Sequence, residues 1–245
     1  MRLLFDLGNT RLKWAWHDRD LWQTGVAEMA VDFTVLMHTI AGQQQPPELV
    51  AIASVAGDAA TEACIRAIGQ QWNVPVLKVK PVVEQLGVRN GYRDPWQLGI
   101  DRWAALVAAR QETRKPVCVV SCGTAVTVDA LDANGTFIGG SILPGLELMR
   151  RSLIEGTSAI AAAAGDETRC QATATADAVF AGTRYGLAGA VSRIADEHRK
   201  ILGNDMVTLI TGGCADSILP LLDSPADLRP DLVLRGVAAI AEAAA

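Results

Sequence analysis

Phe5-Asp6-Leu7-Gly8-Asn9-Thr10-Arg11-Leu12-Lys13-Trp14 is the stretch on which the fold turns. Apolar Leu3, Leu4 and Phe5 run into it, and Leu12, Trp14 and Trp16 alternate out of it. That pattern predicts strand, tight turn, strand. Gly8-Asn9 supplies the turn, because both residues tolerate positive φ. One short hairpin thus gathers a carboxylate (Asp6), a hydroxyl (Thr10) and an ammonium (Lys13). Backbone N–H groups converging at a Gly turn make an anion site. Thr10 adds a donor, and Lys13 a point charge suited to phosphate oxygens. Asp6 would repel a bare phosphate; its chemistry fits a hydrated Mg²⁺, which takes one or two carboxylates plus waters and phosphates. An ordinary hairpin with a solvated Asp and Lys has the same local pattern, so the motif alone leaves both readings open.

The pattern returns at mid-chain. Val119-Val120-Ser121-Cys122-Gly123-Thr124-Ala125-Val126-Thr127-Val128-Asp129 again reads as strand, Gly-hydroxyl turn, strand. Phe5-Asp6-Leu7-Gly8-Asn9 aligns with Val120-Ser121-Cys122-Gly123-Thr124 without a gap, which suggests an internal duplication. The expected halves are residues 1–115 and 116–245, divided at Pro116. Each would offer a Gly turn to a shared cleft. In the first half, strands are predicted over Leu21–Glu28, Leu49–Val55 and Val74–Val79. Helices are predicted over Val31–Ala41, Ala59–Trp72 and from Leu98 to about Gln111. Val82–Asp94 reads as irregular, broken by Gly87, Gly91 and Pro95. The second half continues with a turn at Asp132–Gly135, a strand Thr136–Ile142 and a helix Leu146–Leu153. An Ala-rich, partly loop-like Thr157–Thr175 precedes a long helix Asp177–Leu202 with closely spaced Gly182, Gly186 and Gly189. A strand Met206–Ile210, the turn Gly212-Gly213 and a closing helix Leu232–Ala244 complete an α/β alternation.

Composition narrows the function classes. The 245 residues are 50% hydrophobic and 20% charged, a globular balance with ample core. A net charge of −5 argues against a general nucleic-acid or anionic-membrane surface, so phosphates would be met by a local cluster. Asp6 and Lys13 interrupt any apolar leader, and no window reaches membrane-span length, which leads us to expect a cytoplasmic protein. Cys64, Cys118, Cys122, Cys170 and Cys214 lack metal-type spacing and read as thiols. His17, His38 and His198 are scattered and receive no catalytic role.

Gly99-Ile100-Asp101-Arg102 stands where a helix begins. The positive end of the helix dipole keeps a carboxylate ionised. An ionised Asp101 can accept a proton from a hydroxyl as that hydroxyl attacks a phosphoryl group. Arg102 can grip a carboxylate bidentately. Helix statistics alone favour a first-turn Asp that complements the dipole and a solvated Arg. Tyr92, one of two tyrosines, sits between Gly91 and Pro95 and either lines a pocket or packs its loop. Gly212-Gly213 would allow close approach of a nucleotide. Each feature is weak alone; their order along the chain carries the weight.

Together these residues resemble the type III pantothenate kinases, within the acetate and sugar kinase, Hsp70 and actin superfamily. The resemblance rests on Asp6-Leu7-Gly8-Asn9-Thr10-Arg11-Leu12-Lys13, on Tyr92 and Pro95 before Leu98-Gly99-Ile100-Asp101-Arg102, and on Gly123-Thr124-Ala125-Val126-Thr127-Val128-Asp129. Gly139-Gly140-Ser141-Ile142-Leu143-Pro144-Gly145 and Thr175-Ala176-Asp177-Ala178-Val179 extend it. It implies two duplicated ribonuclease H-like lobes, the actin-like ATPase fold, with a cleft between them. It implies ATP-dependent phosphorylation of pantothenate to 4′-phosphopantothenate, the first step toward coenzyme A, in a homodimer with the pantothenate pocket at the interface. Carried over by position, Asp101 is the base, and Tyr92, Gly99, Ile100, Arg102 and Thr175 bind pantothenate. Asp6, Leu7, Gly8, Asn9, Thr10, Arg11, Leu12, Lys13 and Thr124 bind ATP, with Asp6 holding Mg²⁺ through water.

One position departs from the family. Ser121 stands where the family usually has an Asp that ligates K⁺ or NH₄⁺, and a neutral hydroxyl is the poorer ligand. Two rivals follow from the same residues: another kinase or phosphatase of the superfamily, acting on a sugar or acid, and a non-catalytic nucleotide-binding regulator on the same fold. The Tyr92-to-Arg102 run argues against the first, and the intact Asp6, Lys13, Asp101 and Arg102 against the second.

Overall fold

The computed structural model describes residues 1–19, 21–42, 44–160, 165–166 and 169–244. Parts of the Ala-rich stretch (161–164 and 167–168), Asp20, in the Asp18–Asp20 stretch that the sequence marks as a turn, and Gln43 lie outside them. The chain divides into two compact units, Met1–Thr113 with Leu232–Ala245, and Arg114–Asp231.

The first unit opens with β1 (Arg2–Leu7), β2 (Arg11–His17) and β3 (Trp22–Glu28), an antiparallel meander. Helix α1 (Phe33–Ala41) leads to β4 (Leu49–Ser54), and α2 (Asp58–Gln71) to β5 (Val76–Lys78). Strands β4 and β5 join in parallel, giving the order β3-β2-β1-β4-β5. Asp32 caps α1 by accepting from the N–H groups of Thr34 and Val35, so the helix starts two residues later than its apolar pattern suggests. Leu3, Phe5 and Leu7 pack with Trp16, Met37, Ile40 and Ile68 into one core. The buried Trp16 indole donates to the carbonyl of Ile40 at 3.1 Å and meets Trp72 edge-on, so its polar atom is satisfied. Successive residues of a strand face opposite sides; Leu4 and Asp6 therefore face away from α1 and α2.

The segment predicted as irregular contains a small hairpin, β6 (Glu84–Gln85) and β7 (Val88–Arg89), turned by Leu86 and Gly87 at φ +52° and +78°. A 3₁₀ turn, Pro95–Gln97, precedes α3 (Ile100–Glu112).

The second unit repeats the scheme. Strands β8 (Val117–Cys122), β9 (Ala125–Leu131) and β10 (Phe137–Pro144) form the meander, α4 (Leu146–Gly156) and α5 (Thr175–Leu202) follow, and β11 (Val207–Thr211), α6 (Ala215–Ile218) and β12 (Asp227–Leu228) complete it. The sheet order is β10-β9-β8-β11-β12, with β8, β11 and β12 parallel. Two five-stranded sheets of identical order and sense are the duplicated ribonuclease H-like arrangement of the actin-like fold. Cys118, Val120 and Cys122 bury one face of β8 among Leu187, Val191, Ile210 and Ile218.

The expected division of the chain differs from the observed units at one element. Helix α7 (Leu232–Ala243), which the sequence order sets in the second half, belongs to the first unit. Its apolar residues Leu234, Val237 and Ile240 are buried, and it packs on α3, β1 and β4. Gly236 makes that packing tight: a Cβ there would stand 1.8 Å from the carbonyl oxygen of Ala104. Only a hydrogen at this position lets the two helix backbones touch. No helix of the described residues is long and apolar enough to cross a membrane.

Candidate active site

The first hairpin is built as the sequence predicts. Asp6 pairs with Lys13 and Leu7 with Leu12, and the Gly8 N–H donates to the carbonyl of Arg11 at 3.0 Å. A Cβ on Gly8 would lie 2.9 Å from that carbonyl. Asn9 and Thr10 form an exposed tip, while Leu7 and Leu12 are buried. Of the eight hairpin residues assigned to ATP, those two leucines thus have only backbone to offer. Arg11 is exposed and pairs with Glu28 at 3.4 Å.

Asp6 and Asp101 lie near enough for their charges to interact. Asp6 faces the side of the sheet away from α1 and α2, and Asp101 stands in the first turn of α3. The Asp6 carboxyl is pushed up from 3.8 to about 7, first by burial, then by the negative charge of Asp101, with Lys13 opposing. Two carboxylates and one ammonium therefore share one electrostatic environment. Gly99 caps α3, and a Cβ on it would lie 2.6 Å from Oδ1 of Asp101. The same Oδ1 accepts from the Arg102 backbone N–H at 2.8 Å. The missing side chain at Gly99 leaves room for the carboxylate to fold over the helix start. Ile100 is buried.

Arg102 is only 5% exposed, so it is not the solvated helix arginine that statistics favour. Its Nη1 donates to the Tyr92 hydroxyl at 2.6 Å, and its guanidinium lies 5.4 Å from the centre of the Tyr92 ring. The loop carrying Tyr92 is held by Asn90, a residue that the sequence reading passed over. Asn90 is buried, accepts from the Tyr92 N–H at 3.1 Å and donates to the Pro95 carbonyl at 3.1 Å. An Asn-Gly pair before Tyr92 was the available signal, since Asn side chains commonly close local backbone turns. Asp94 caps the following 3₁₀ turn through the Trp96 N–H.

In the second unit the equivalent turn is one residue tighter. Leu7 pairs with Leu12 across the first turn, but Cys122 pairs with Val126 across the second. The position matching Asp6 is Ser121, whose partner is Thr127 where Asp6 has Lys13. The charged pair of the first hairpin is thus replaced by two hydroxyls. Thr124 is exposed at the tip. Its carbonyl accepts from the Gly145 N–H at 2.9 Å, and a Cβ on Gly145 would lie 2.3 Å from the Gly123 carbonyl. Gly212, at φ +101°, packs as closely on Cys122. Thr175 is the first residue of α5, exposed, and lines an apolar cavity of about 340 Å³ with Met149, Leu153 and Val179.

Among the described residues no cluster of three or more His, Cys, Asp or Glu forms a metal cage. A single half-buried carboxylate opposite a lysine fits Mg²⁺, which keeps waters and takes substrate phosphates. The Ser121 hydroxyl is buried without a hydrogen-bond partner among the described residues, and it brings no charge to a cation.

Comparison with known proteins identifies a family. The family model described as type III pantothenate kinase matches residues 2–197. A type III pantothenate kinase of Paracidovorax citrulli is 38% identical over 251 residues, covering 98% of this chain and 97% of its own. One from Nitrosospira multiformis is 39% identical over 240 residues, covering 98% and 90%. Among solved structures, a Campylobacter jejuni protein assigned to the Baf family of transcriptional activators superposes with a TM-score of 0.61 at 20% identity, over 99% of this chain and 98% of its own. That likeness speaks to the fold alone. A family match over four fifths of the chain, and relatives alike along nearly its whole length, establish that the chain belongs to the type III pantothenate kinase family.

Proposed function

We propose that this protein transfers the γ-phosphoryl group of ATP to the primary hydroxyl of pantothenate, giving 4′-phosphopantothenate for coenzyme A synthesis. The observation that carries the reading is the electrostatic triad of Asp6, Lys13 and Asp101, with the buried Arg102 on the same helix start bonded to Tyr92 of the preceding loop. Asp101 takes the hydroxyl proton as the oxygen attacks. Lys13 and the backbone of the Gly8 turn offset the charge on the phosphates, and Thr124, on the equivalent turn, is assigned to the same nucleotide. Phosphoryl transfer of this kind depends on positioning and electrostatics, and fixed charges serve both. Asp6 would hold Mg²⁺ through water; the ion supplies charge neutralisation to the phosphate oxygens.

Arg102 is the residue suited to the pantothenate carboxylate. Tyr92 already orients its guanidinium, which reduces the entropy lost on binding. Gly99, Ile100, Tyr92 and Thr175 complete the assignment. The family resemblance further supports a cytoplasmic homodimer with the pantothenate pocket at its interface. The regulator alternative is not favoured, because the full-length relatives are named as kinases.

The test is incubation with pantothenate, ATP and Mg²⁺ and mass-spectrometric detection of the product. A pantothenate ion heavier by one phosphoryl group is expected; ATP hydrolysis without it would overturn the reading. Ser121 gives a second expectation. Replacing Na⁺ by K⁺ or NH₄⁺ should change the rate by less than about two-fold, since the hydroxyl offers no charge to a monovalent ion. A large, saturable K⁺ response would contradict it.

A further inference from the structure

We propose that Cys122 and Cys214 form a reversible intramolecular disulfide on exposure to peroxide, and that this bond disables the second glycine turn. Cys122 is the last residue of β8, immediately before Gly123-Thr124, and Cys214 follows Gly212-Gly213. The two segments are in direct contact. The Cys214 N–H donates to the Cys122 carbonyl at 3.3 Å, and the positive-φ Gly212 packs against the Cys122 backbone so closely that a Cβ would stand 2.3 Å from its oxygen. The two thiols also act on each other, raising the Cys122 thiol and lowering that of Cys214. Both cysteines are reduced thiols in the structure. On backbones in direct contact, the bond to be closed is an S–S bond of about 2.05 Å.

The pair is asymmetric in a way that orders the chemistry. Cys122 is fully buried, whereas Cys214 is partly exposed and is the sulfur an oxidant reaches. The Cys122 thiol first, then the N–H groups of Leu146 at the start of α4 and of Cys214 itself, and then the Arg150 charge, act on the Cys214 sulfur. These contacts favour its thiolate, the nucleophilic form. The Cys214 thiolate attacks one peroxide oxygen; an S–O bond forms, the O–O bond breaks and hydroxide leaves. The Cys122 sulfur then attacks the sulfenyl sulfur; the S–S bond forms, the S–O bond breaks and water leaves with the Cys122 proton. Two thiols lose two electrons, and hydrogen peroxide becomes two waters.

The consequence for activity rests on the kinase reading, whereas the cross-link does not. Full-length reduced protein is treated with hydrogen peroxide, and intact mass, peptide maps and pantothenate phosphorylation are followed. The expected result is a loss of two hydrogens, a peptide linking Cys122 to Cys214, and roughly ten-fold lower kcat/KM for ATP, since small misplacements of a phosphate turn are costly. Dithiothreitol restores both mass and rate. Cys214→Ser abolishes the cross-link, and Cys170→Ala, at the exposed cysteine, leaves it intact. Cys214 oxidised to a sulfinic acid with no cross-link, or a cross-link through Cys170, overturns the proposal. A 122–214 cross-link with unchanged rate overturns its effect on the turn. Reduced protein that phosphorylates no pantothenate while the cross-link forms would count against the kinase reading alone.

Discussion

A carboxylate that holds its proton close to neutral pH is the most informative single residue of this chain. Asp6 sits at about 7 because folding strips its water and places Asp101 near it. Its folded value lies above its unfolded one, so its ionisation costs folded-state stability. That cost is absent below about pH 4, grows as the pH rises toward 7, and is constant above. Asp6→Asn should therefore unfold later than the wild type at pH 8 and converge with it near pH 4. The interval from 3.8 to about 7 sets a ceiling of roughly 4 kcal/mol. Urea denaturation at the two pH values checks it; an equal gain at both would contradict it. The alternation around Gly8-Asn9 makes the Asp6–Lys13 pairing legible from sequence, because register follows from the turn. Asp101's proximity to Asp6 is not legible, since it depends on which face of the sheet α3 covers. Nor is the Tyr92–Arg102 bond, which spans a loop shaped by Asn90.

Helices α3 and α7 carry the packing behind the helix start that holds Asp101. Both belong to the first unit, and Gly236 lets α7 lie against Ala104 of α3 without a side chain between them. Gly236→Ala should destabilise by about 1–3 kcal/mol or more, because the backbone it meets cannot swing aside as a side chain can. Gly69→Ala, inside α2 with nothing within 4 Å of the new Cβ, should instead gain up to about 1 kcal/mol through helix propensity. Thermal unfolding of the two variants tests the contrast, and a neutral Gly236→Ala would refute the close approach. Element type was readable almost everywhere, because apolar periodicity separates strand from helix. The unit to which α7 belongs was not, since a helix of small and aliphatic residues carries no mark of its partner. The β6–β7 hairpin escaped detection because its strands are two residues each and Leu86 is an uncommon positive-φ residue.

At the scale of the whole molecule, duplication accounts for most of what the sequence reveals. The gapless match of Phe5–Asn9 to Val120–Thr124 corresponds to strand ends in identical positions of two sheets of identical order. The match does not show that the second turn is a residue shorter, which sets Thr127 where Lys13 stands and leaves no lysine opposite Ser121. The charges of the proposed site gather in the first unit, where Asp6, Lys13 and Asp101 share a field. The assignment of proton abstraction to Asp101 is therefore the centre of the account. Steady-state phosphorylation of pantothenate by Asp101→Asn, with ATP affinity and thermal unfolding measured alongside, tests it most directly. Turnover should fall by about 10²-fold or more while affinity and melting temperature stay close to the wild type. Near-normal turnover in a folded Asp101→Asn protein would contradict it.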